Sequence, residues 1–308
     1  MKNNIAKYIF IAIISCTLMS AQAASPDQED GKQAAQKRDD ERNIQDWISA
    51  FYYYLNHGTF QEAIQEAERW IKRTEGIEDQ HSRALYLKAT ALYVSNHYKD
   101  TIPVLDEIIN LYITSNSEDA LFIARKSMID KAANLIAINK INDAITTYTS
   151  LLSYISESSE EKYKDMTARA LYGQGLAYGI QGKSAEAIRF YFNIARRFQG
   201  TENPNIKITL SDTYLNLGSE MLNTGNSELA KTAWMTGIQE LRMTNNMKIL
   251  FNLSQMAIRL GRAQEKDREI EKAIFTYTEI VKIFSKIDAP AIQINVENAK
   301  QGLARLNQ

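Results

Sequence analysis

Six small residues keep time along this chain. Ala63, Thr101, Ala144, Ala187, Ala230 and Ala273 each sit inside a similar fragment. The fragments are FQEAIQEAERWI (60–71), YKDTIPVLDEII (98–109), INDAITTYTSLL (141–152), SAEAIRFYFNIA (184–195), SELAKTAWMTGI (227–238) and IEKAIFTYTEIV (270–281). Each begins with a polar or acidic stretch, reaches its small residue, and then places apolar residues one and two helical turns further on. Four residues past the small one stand Ala67, Leu105, Tyr148, Tyr191, Trp234 and Tyr277. The last four intervals between small residues are all 43. A fixed period of this length means a repeated unit that cannot bury its apolar side alone and must stack on its neighbours.

The unit is helical. Apolar spacing at i, i+3, i+4 and i+7 recurs throughout, and strand alternation does not. Every fragment follows another amphipathic stretch, clearest in LYGQGLAYGIQG (171–182) and YLNLGSEMLNTG (214–225). Gly175 and Gly218 fall near the middle of those helices, where Gly costs about 1 kcal/mol relative to Ala. Such a cost is tolerated where two helices approach closely, and Ala187 and Ala230 are expected to complete the contact. Gly182 and Gly225 sit at turns. Only 4 Pro and 13 Gly in 308 residues also suit long helices. These features predict an all-α array of antiparallel helix pairs. Polar connectors separate the pairs: SNSED (115–119), SESSEEK (156–162), GTENPN (200–205), TNNMK (244–248) and KIDAP (286–290). Residues 291–306 form a final amphipathic helix that covers the last pair.

The residues at these positions resemble the tetratricopeptide repeat. The fourth pair supplies Leu171, Gly175, Tyr178, Gly182, Ala187 and Tyr191; the fifth supplies Tyr214, Leu217, Gly218, Met221, Gly225, Ala230 and Trp234. The first supplies Trp47, Tyr54, Gly58, Phe60 and Ala63. The others depart from the pattern, with Thr101 in place of Ala and Asn139 at a turn. The usual period is about 34, so this chain is similar to long-repeat variants such as kinesin light chain. The resemblance implies a right-handed superhelical solenoid over residues 43–308, with six pairs and a capping helix.

The N-terminus reads as a secretory leader, residues 1–23. Lys2 and Lys7 precede an apolar run from Tyr8 to Met19, and Ala21-Gln22-Ala23 is an A-x-A cleavage site. A second reading takes Ile13-Ile14-Ser15-Cys16 as a lipobox and makes Cys16 a lipid anchor. The first places the protein in a bacterial periplasm; the second tethers it to a membrane. Cys16 is the sole cysteine, so cleavage after Ala23 leaves no disulfide, thiol catalysis or Cys-ligated zinc. Residues 24–42 mix charges without an apolar stripe and read as a flexible linker.

No catalytic or cofactor signature emerges. Gly182-Lys183-Ser184 ends like a phosphate loop, but Ala177 stands where the first Gly is required and a helix precedes it. Gly182 is then a turn and Ser184 an N-cap. His57, His81 and His97 lack metal-ligand spacing, and Asn252-Leu253-Ser254 is a sequon on a helix. A net charge of −1, falling to −3 once Lys2 and Lys7 leave, argues against nucleic acid.

In the resembled family the first helix of each pair lines a concave groove. Helical phase makes Trp47 and Tyr54 core, and points Tyr52 into that groove. The same phase picks Tyr86, Thr90, Tyr93, Lys126, Arg169, Tyr172 and Asp212. Tyr and Arg are enriched where binding energy concentrates. Ile48 and Tyr52 stand where a Lys–Asn carboxylate clamp would be, so no such clamp is expected. The expected activity is non-catalytic: an exported scaffold or assembly factor of the cell envelope, with a protein or peptide partner in the groove and no metal or cofactor. An alternative ligand is a glycan or peptidoglycan fragment, since aromatic grooves also suit sugars.

Overall fold

The computed structural model describes residues 28–155 and 160–307. The expected leader, Cys16 and the start of the linker lie outside these residues. Every regular element among those described is helical. The chain divides between residues 157 and 158 into two compact units.

Unit 1 contains α1 (Gln28–Gln36), a 3-10 turn (Asp39–Glu41), and three helix pairs. These are α2 (Ile44–Asn56) with α3 (Phe60–Arg73), α4 (Glu78–Val94) with α5 (Tyr98–Tyr112), and α6 (Glu118–Ala137) with α7 (Ile141–Ile155). Unit 2 contains α8 (Glu161–Ile180) with α9 (Ser184–Phe198), α10 (Pro204–Asn223) with α11 (Ser227–Leu241), and α12 (Met247–Lys266) with α13 (Ile270–Phe284). The single helix α14 (Pro290–Leu306) ends it. Second helices start at Tyr98, Ile141, Ser184, Ser227 and Ile270, each 43 residues after the last. First helices from Glu118 onward keep the same step.

One turn closes all six pairs. Its left-handed residue is Gly58, Asn96, Asn139, Gly182, Gly225 or Arg268, with φ between 63° and 83°. The following N–H reaches back five residues to a first-helix carbonyl: Lys183 to Tyr178 at 2.9 Å, Asn226 to Met221 at 2.9 Å and Glu269 to Gln264 at 2.8 Å. This bonding ends a helix without leaving its last carbonyls unpaired. Gly and Asn tolerate the conformation, whereas Arg268 carries a cost of about 1–2 kcal/mol.

The mid-helix glycines make a closer contact than expected. A Cβ on Gly175 would lie 2.7 Å from the Tyr191 ring, and one on Gly218 would lie 2.3 Å from Trp234 Nε1. Gly261 repeats the contact with Tyr277 at 2.5 Å. The partner is thus the aromatic ring on the second helix, while Ala187 and Ala230 are buried elsewhere in the pair. Tyr191, Trp234 and Tyr277 are at most 1% exposed.

Three local expectations change. Residues 28–36 form a helix that packs on α2, so the linker reading does not hold there. Gly31 and Ala34 are buried, and a Cβ on Gly31 would meet Tyr53 Cβ at 2.9 Å. A stripe made of Gly and Ala is invisible to a search for large apolar residues. Ser184 opens α9, preceded by Lys183 as N-cap, and its hydroxyl donates to Glu220 at 2.6 Å instead of capping its own helix. Phe51, at 1% exposure, takes the core position assigned to Tyr54, which is half-buried against it. The capping helix forms as expected: Ile292, Val296 and Ala299 are buried, and α14 packs on α12 and α13.

Candidate functional site: the first-helix faces

Tyr52, Tyr86, Lys126, Arg169 and Asp212 are each the ninth residue of their first helix. Gln255 and Asn298 complete the row on α12 and α14. The repeat therefore carries one register position through every pair.

In unit 1 the row is partly open to solvent at Tyr52, Tyr86 and Lys126. The Lys126 ammonium lies 4.7 Å from the Tyr86 ring centroid, a cation–π contact. The Tyr86 hydroxyl donates to Asp130. Asp130 was not anticipated, although it stands one turn beyond Lys126 on the same helix face. Thr90 donates to its own Tyr86 carbonyl at 2.9 Å. Tyr93, the sixteenth residue of α4, packs its ring against Tyr98 at the start of α5, centroids 5.6 Å apart. Burial pushes the Tyr52 phenol up, and Arg83 pulls against it. Tyr52, Tyr86 and Lys126 thus hold one register, whereas Tyr93 packs beside the turn into α5.

In unit 2, Arg169 is partly exposed, but Tyr172 and Asp212 are 5% and 4% exposed. Neither offers its side chain to an open groove. Tyr172 is the twelfth residue of α8, a position that holds Leu55, Ala89, Ile129, Leu215 and Ile258 on other first helices. That register belongs to the core. The Tyr172 hydroxyl accepts from Asn216 Nδ2 at 2.8 Å, and its ring lies 5.8 Å from Tyr191. Asp212 accepts from Asn252 Nδ2 at 2.7 Å and pairs with Lys248 at 3.1 Å. Burial pushes its carboxyl up, and Lys248 opposes that.

Asp212 belongs to a ladder between first helices. Asn252 Nδ2 also donates to Ser211 Oγ at 2.8 Å. One repeat later Asn295 Nδ2 donates to Ser254 Oγ at 2.8 Å, and Gln255 Nε2 to Asn295 Oδ1 at 3.0 Å. Buried amides bonded from one first helix to the next lock the register of neighbouring repeats. The sequon residue Asn252 is spent here, at 1% exposure. Among the histidines, His57 and His97 are exposed beside turns, while His81 Nδ1 lies 2.6 Å from the Tyr112 hydroxyl.

Glu228, Asp267 and Glu269 bring carboxylate oxygens within 4.8 Å of one another, a geometry that could hold a metal ion. Their cation is internal. Lys231 Nζ lies 2.6, 2.8 and 2.6 Å from them, with its side chain 4% exposed. Burial pulls the Lys231 ammonium down, but the hydrogen bonds it donates to Asp267, Glu228 and Glu269 outweigh that and hold it above the ordinary lysine value. The Lys231 hydrogen bond holds Asp267 and Glu269 below the usual carboxylate range. A raised lysine contributes fully below about pH 10.5 and fades above it; lowered carboxylates contribute above about pH 4 and fade as pH falls. Lys231→Met is therefore expected to flatten the acid limb of the unit 2 stability profile. Urea midpoints between about pH 3 and 6 test this, and parallel curves for the two proteins would refute it.

No helix among the described residues is long and apolar enough to cross a membrane. No family model matches the chain. A stretch of 200 residues is 24% identical to anaphase-promoting complex subunit cut9 of Schizosaccharomyces pombe. The match takes in 59% of this chain and 28% of that protein, so the chain spans less than a third of that relative's length. Among solved structures, nearly identical TPR-like repeats attributed to a kinesin light chain of Podosopora anserina align with TM-score 0.50 and 14% identity. They cover 65% of this chain and 94% of theirs. The Rap conjugation gene regulator of plasmid pLS20, in complex with the Phr* peptide, aligns with TM-score 0.52 and 14% identity. It covers 85% of this chain and 76% of its own. By its fold this chain is a tetratricopeptide-like helical repeat protein, in a long form with 43 residues to the pair from Glu118 onward.

Proposed function

We propose that the chain is a non-catalytic interaction scaffold that takes a protein or peptide segment along the first-helix face of each unit. One observation carries this reading. The ninth residue of the first helix stays partly open at Tyr52, Tyr86 and Lys126 in unit 1, and at Arg169, Gln255 and Asn298 in unit 2. Rigid helices present these side chains at the repeat spacing, so an extended partner meets a preorganised row and little ordering entropy is lost on binding. The Rap regulator holds its Phr* peptide on a related fold, which supports a peptide as the ligand class here. The leader at residues 1–23 would deliver the scaffold to the cell envelope, with assembly of envelope proteins as its task.

A photo-crosslinking residue at Tyr52 or Tyr86, in intact cells, tests the assignment. Discrete protein adducts are expected from both positions and not from exposed Thr146 on the second helix α7. Equal labelling from Thr146, or adducts to glycan alone, would refute it.

A further inference from the structure

The first-helix face of unit 2 carries an unneutralised positive charge. Arg259 and Arg262 are the thirteenth and sixteenth residues of α12, one turn apart and both exposed. Adjacent like charges on one helix face cost a few tenths of a kcal/mol, so the fold does not need them together. The same two positions hold Asn216 and Ser219 on α10, and Gly302 and Arg305 on α14. Arg259 Nη1 donates to the neutral Ser219 hydroxyl at 3.2 Å. Neither Arg259 nor Arg262 forms an ion pair with a described residue. The nearby acid, Glu265, is already engaged: it pairs with Arg305 at 3.1 Å and accepts from the Tyr277 hydroxyl at 2.9 Å.

A guanidinium has five N–H donors in a fixed fork. The Ser219 bond orients Arg259 while leaving donors for a carboxylate, which Arg binds in bidentate fashion. The Asn216 and Ser219 bonds fix the polar floor beside it. Resting on the scaffold reading above, we propose that Arg259 and Arg262 form an anion-recognition point for the acidic side chains of a bound peptide. Nucleic acid fits less well. A phosphate backbone needs a long basic stripe, and here Asp212, Glu220 and Glu265 share the surrounding helices in a chain of net charge −1.

The test uses the full chain and three fluorescein-labelled dodecapeptides of alternating sequence, Glu-Ala, Ser-Ala and Lys-Ala, read by anisotropy. The Glu-Ala peptide should bind about tenfold more tightly than the Ser-Ala peptide, with the margin shrinking as salt rises. Arg259→Glu with Arg262→Glu should abolish that margin and favour Lys-Ala, with an unchanged melting curve because both sites are exposed. Equal binding of the three peptides overturns the inference and leaves peptide capture standing. Binding of none also overturns it, and the Tyr52 and Tyr86 crosslinks then judge peptide capture independently. Acidic preference that survives charge reversal places recognition elsewhere, and capture of oligogalacturonate without Glu-Ala binding overturns the peptide assignment.

Discussion

Replacing Trp234 by alanine should destabilise unit 2 by about 3–5 kcal/mol, the range for emptying a buried aromatic site. Trp234 is 0% exposed, and its indole donates to the Leu215 carbonyl at 3.1 Å. It lies against Gly218 so closely that no β-carbon fits there. The cavity is therefore walled by helix backbone, which cannot collapse into it as a side chain would. Trp234→Tyr should cost far less, because Tyr148, Tyr191 and Tyr277 occupy the same register. Gly218→Ala is the converse insult and should cost about 1–3 kcal/mol by overpacking. Circular dichroism through urea unfolding follows the helices of both units; in the Trp234 variants Trp47 and Trp70 are the remaining tryptophans and read unit 1 alone, so a circular-dichroism transition that precedes the fluorescence one belongs to unit 2. An alanine variant that loses under about 1 kcal/mol, or a tyrosine variant as damaged as the alanine one, would refute the contact.

The repeat was legible because packing imposes the same demand on every pair. Ala144, Ala187, Ala230 and Ala273 are all 0% exposed; a larger residue there would separate the helices, so the interval of 43 is written in small residues. The turns were legible at Gly182 and Gly225 and opaque at Arg268, where an unfavourable residue takes the same left-handed φ of 63°. The reach from Gly175 or Gly218 to the following aromatic also hid in plain view. A glycine states that something comes close, without saying what.

The candidate face was only half legible, for a different reason. Helical phase says which side of a helix a residue occupies, but not whether the next helix covers it. Tyr172 could have been placed from sequence alone, since its register elsewhere reads Leu, Ala, Ile, Leu and Ile. Asp212 could not. It keeps the register of Tyr52 and Lys126, and is buried because Lys248 and Asn252 fold over it. The paired Ser211–Asn252 and Ser254–Asn295 spacings were the available signal. Two occurrences of a polar pair are easily lost among so many apolar repeats.

Arg42→Ala should cost unit 1 about 3 kcal/mol, the low end of the penalty for breaking a buried ion pair, because Arg69 still reaches the Glu66 carboxylate at 3.3 Å. The side chains of Arg42 and Glu66 are 2% and 1% exposed and bond directly. Arg42 also donates to the carbonyls of Ala35 at 2.9 Å and Lys37 at 3.1 Å, and its guanidinium lies 4.9 Å from the Trp47 ring centroid. One residue thus ties the end of α1 to the first pair. Burial pushes the Glu66 carboxyl up, and Arg42, then Arg69, holds it back. Without Arg42 the carboxyl rises further, and a raised acid gains stability as pH falls toward its unfolded value. The deficit of Arg42→Ala should therefore shrink between about pH 7 and pH 4.5. Glu66→Gln should remove that pH dependence, and Arg42→Met with Glu66→Leu should recover most of the loss because apolar packing replaces two buried charges. Trp47 and Trp70 fluorescence through urea unfolding, in a Trp234→Tyr background that removes the unit 2 tryptophan, measures all three. A deficit that stays constant with pH would mean Glu66 is not the group left stranded. A double variant no better than Arg42→Ala would mean the carbonyl bonds to Ala35 and Lys37, not the ion pair, hold α1 in place.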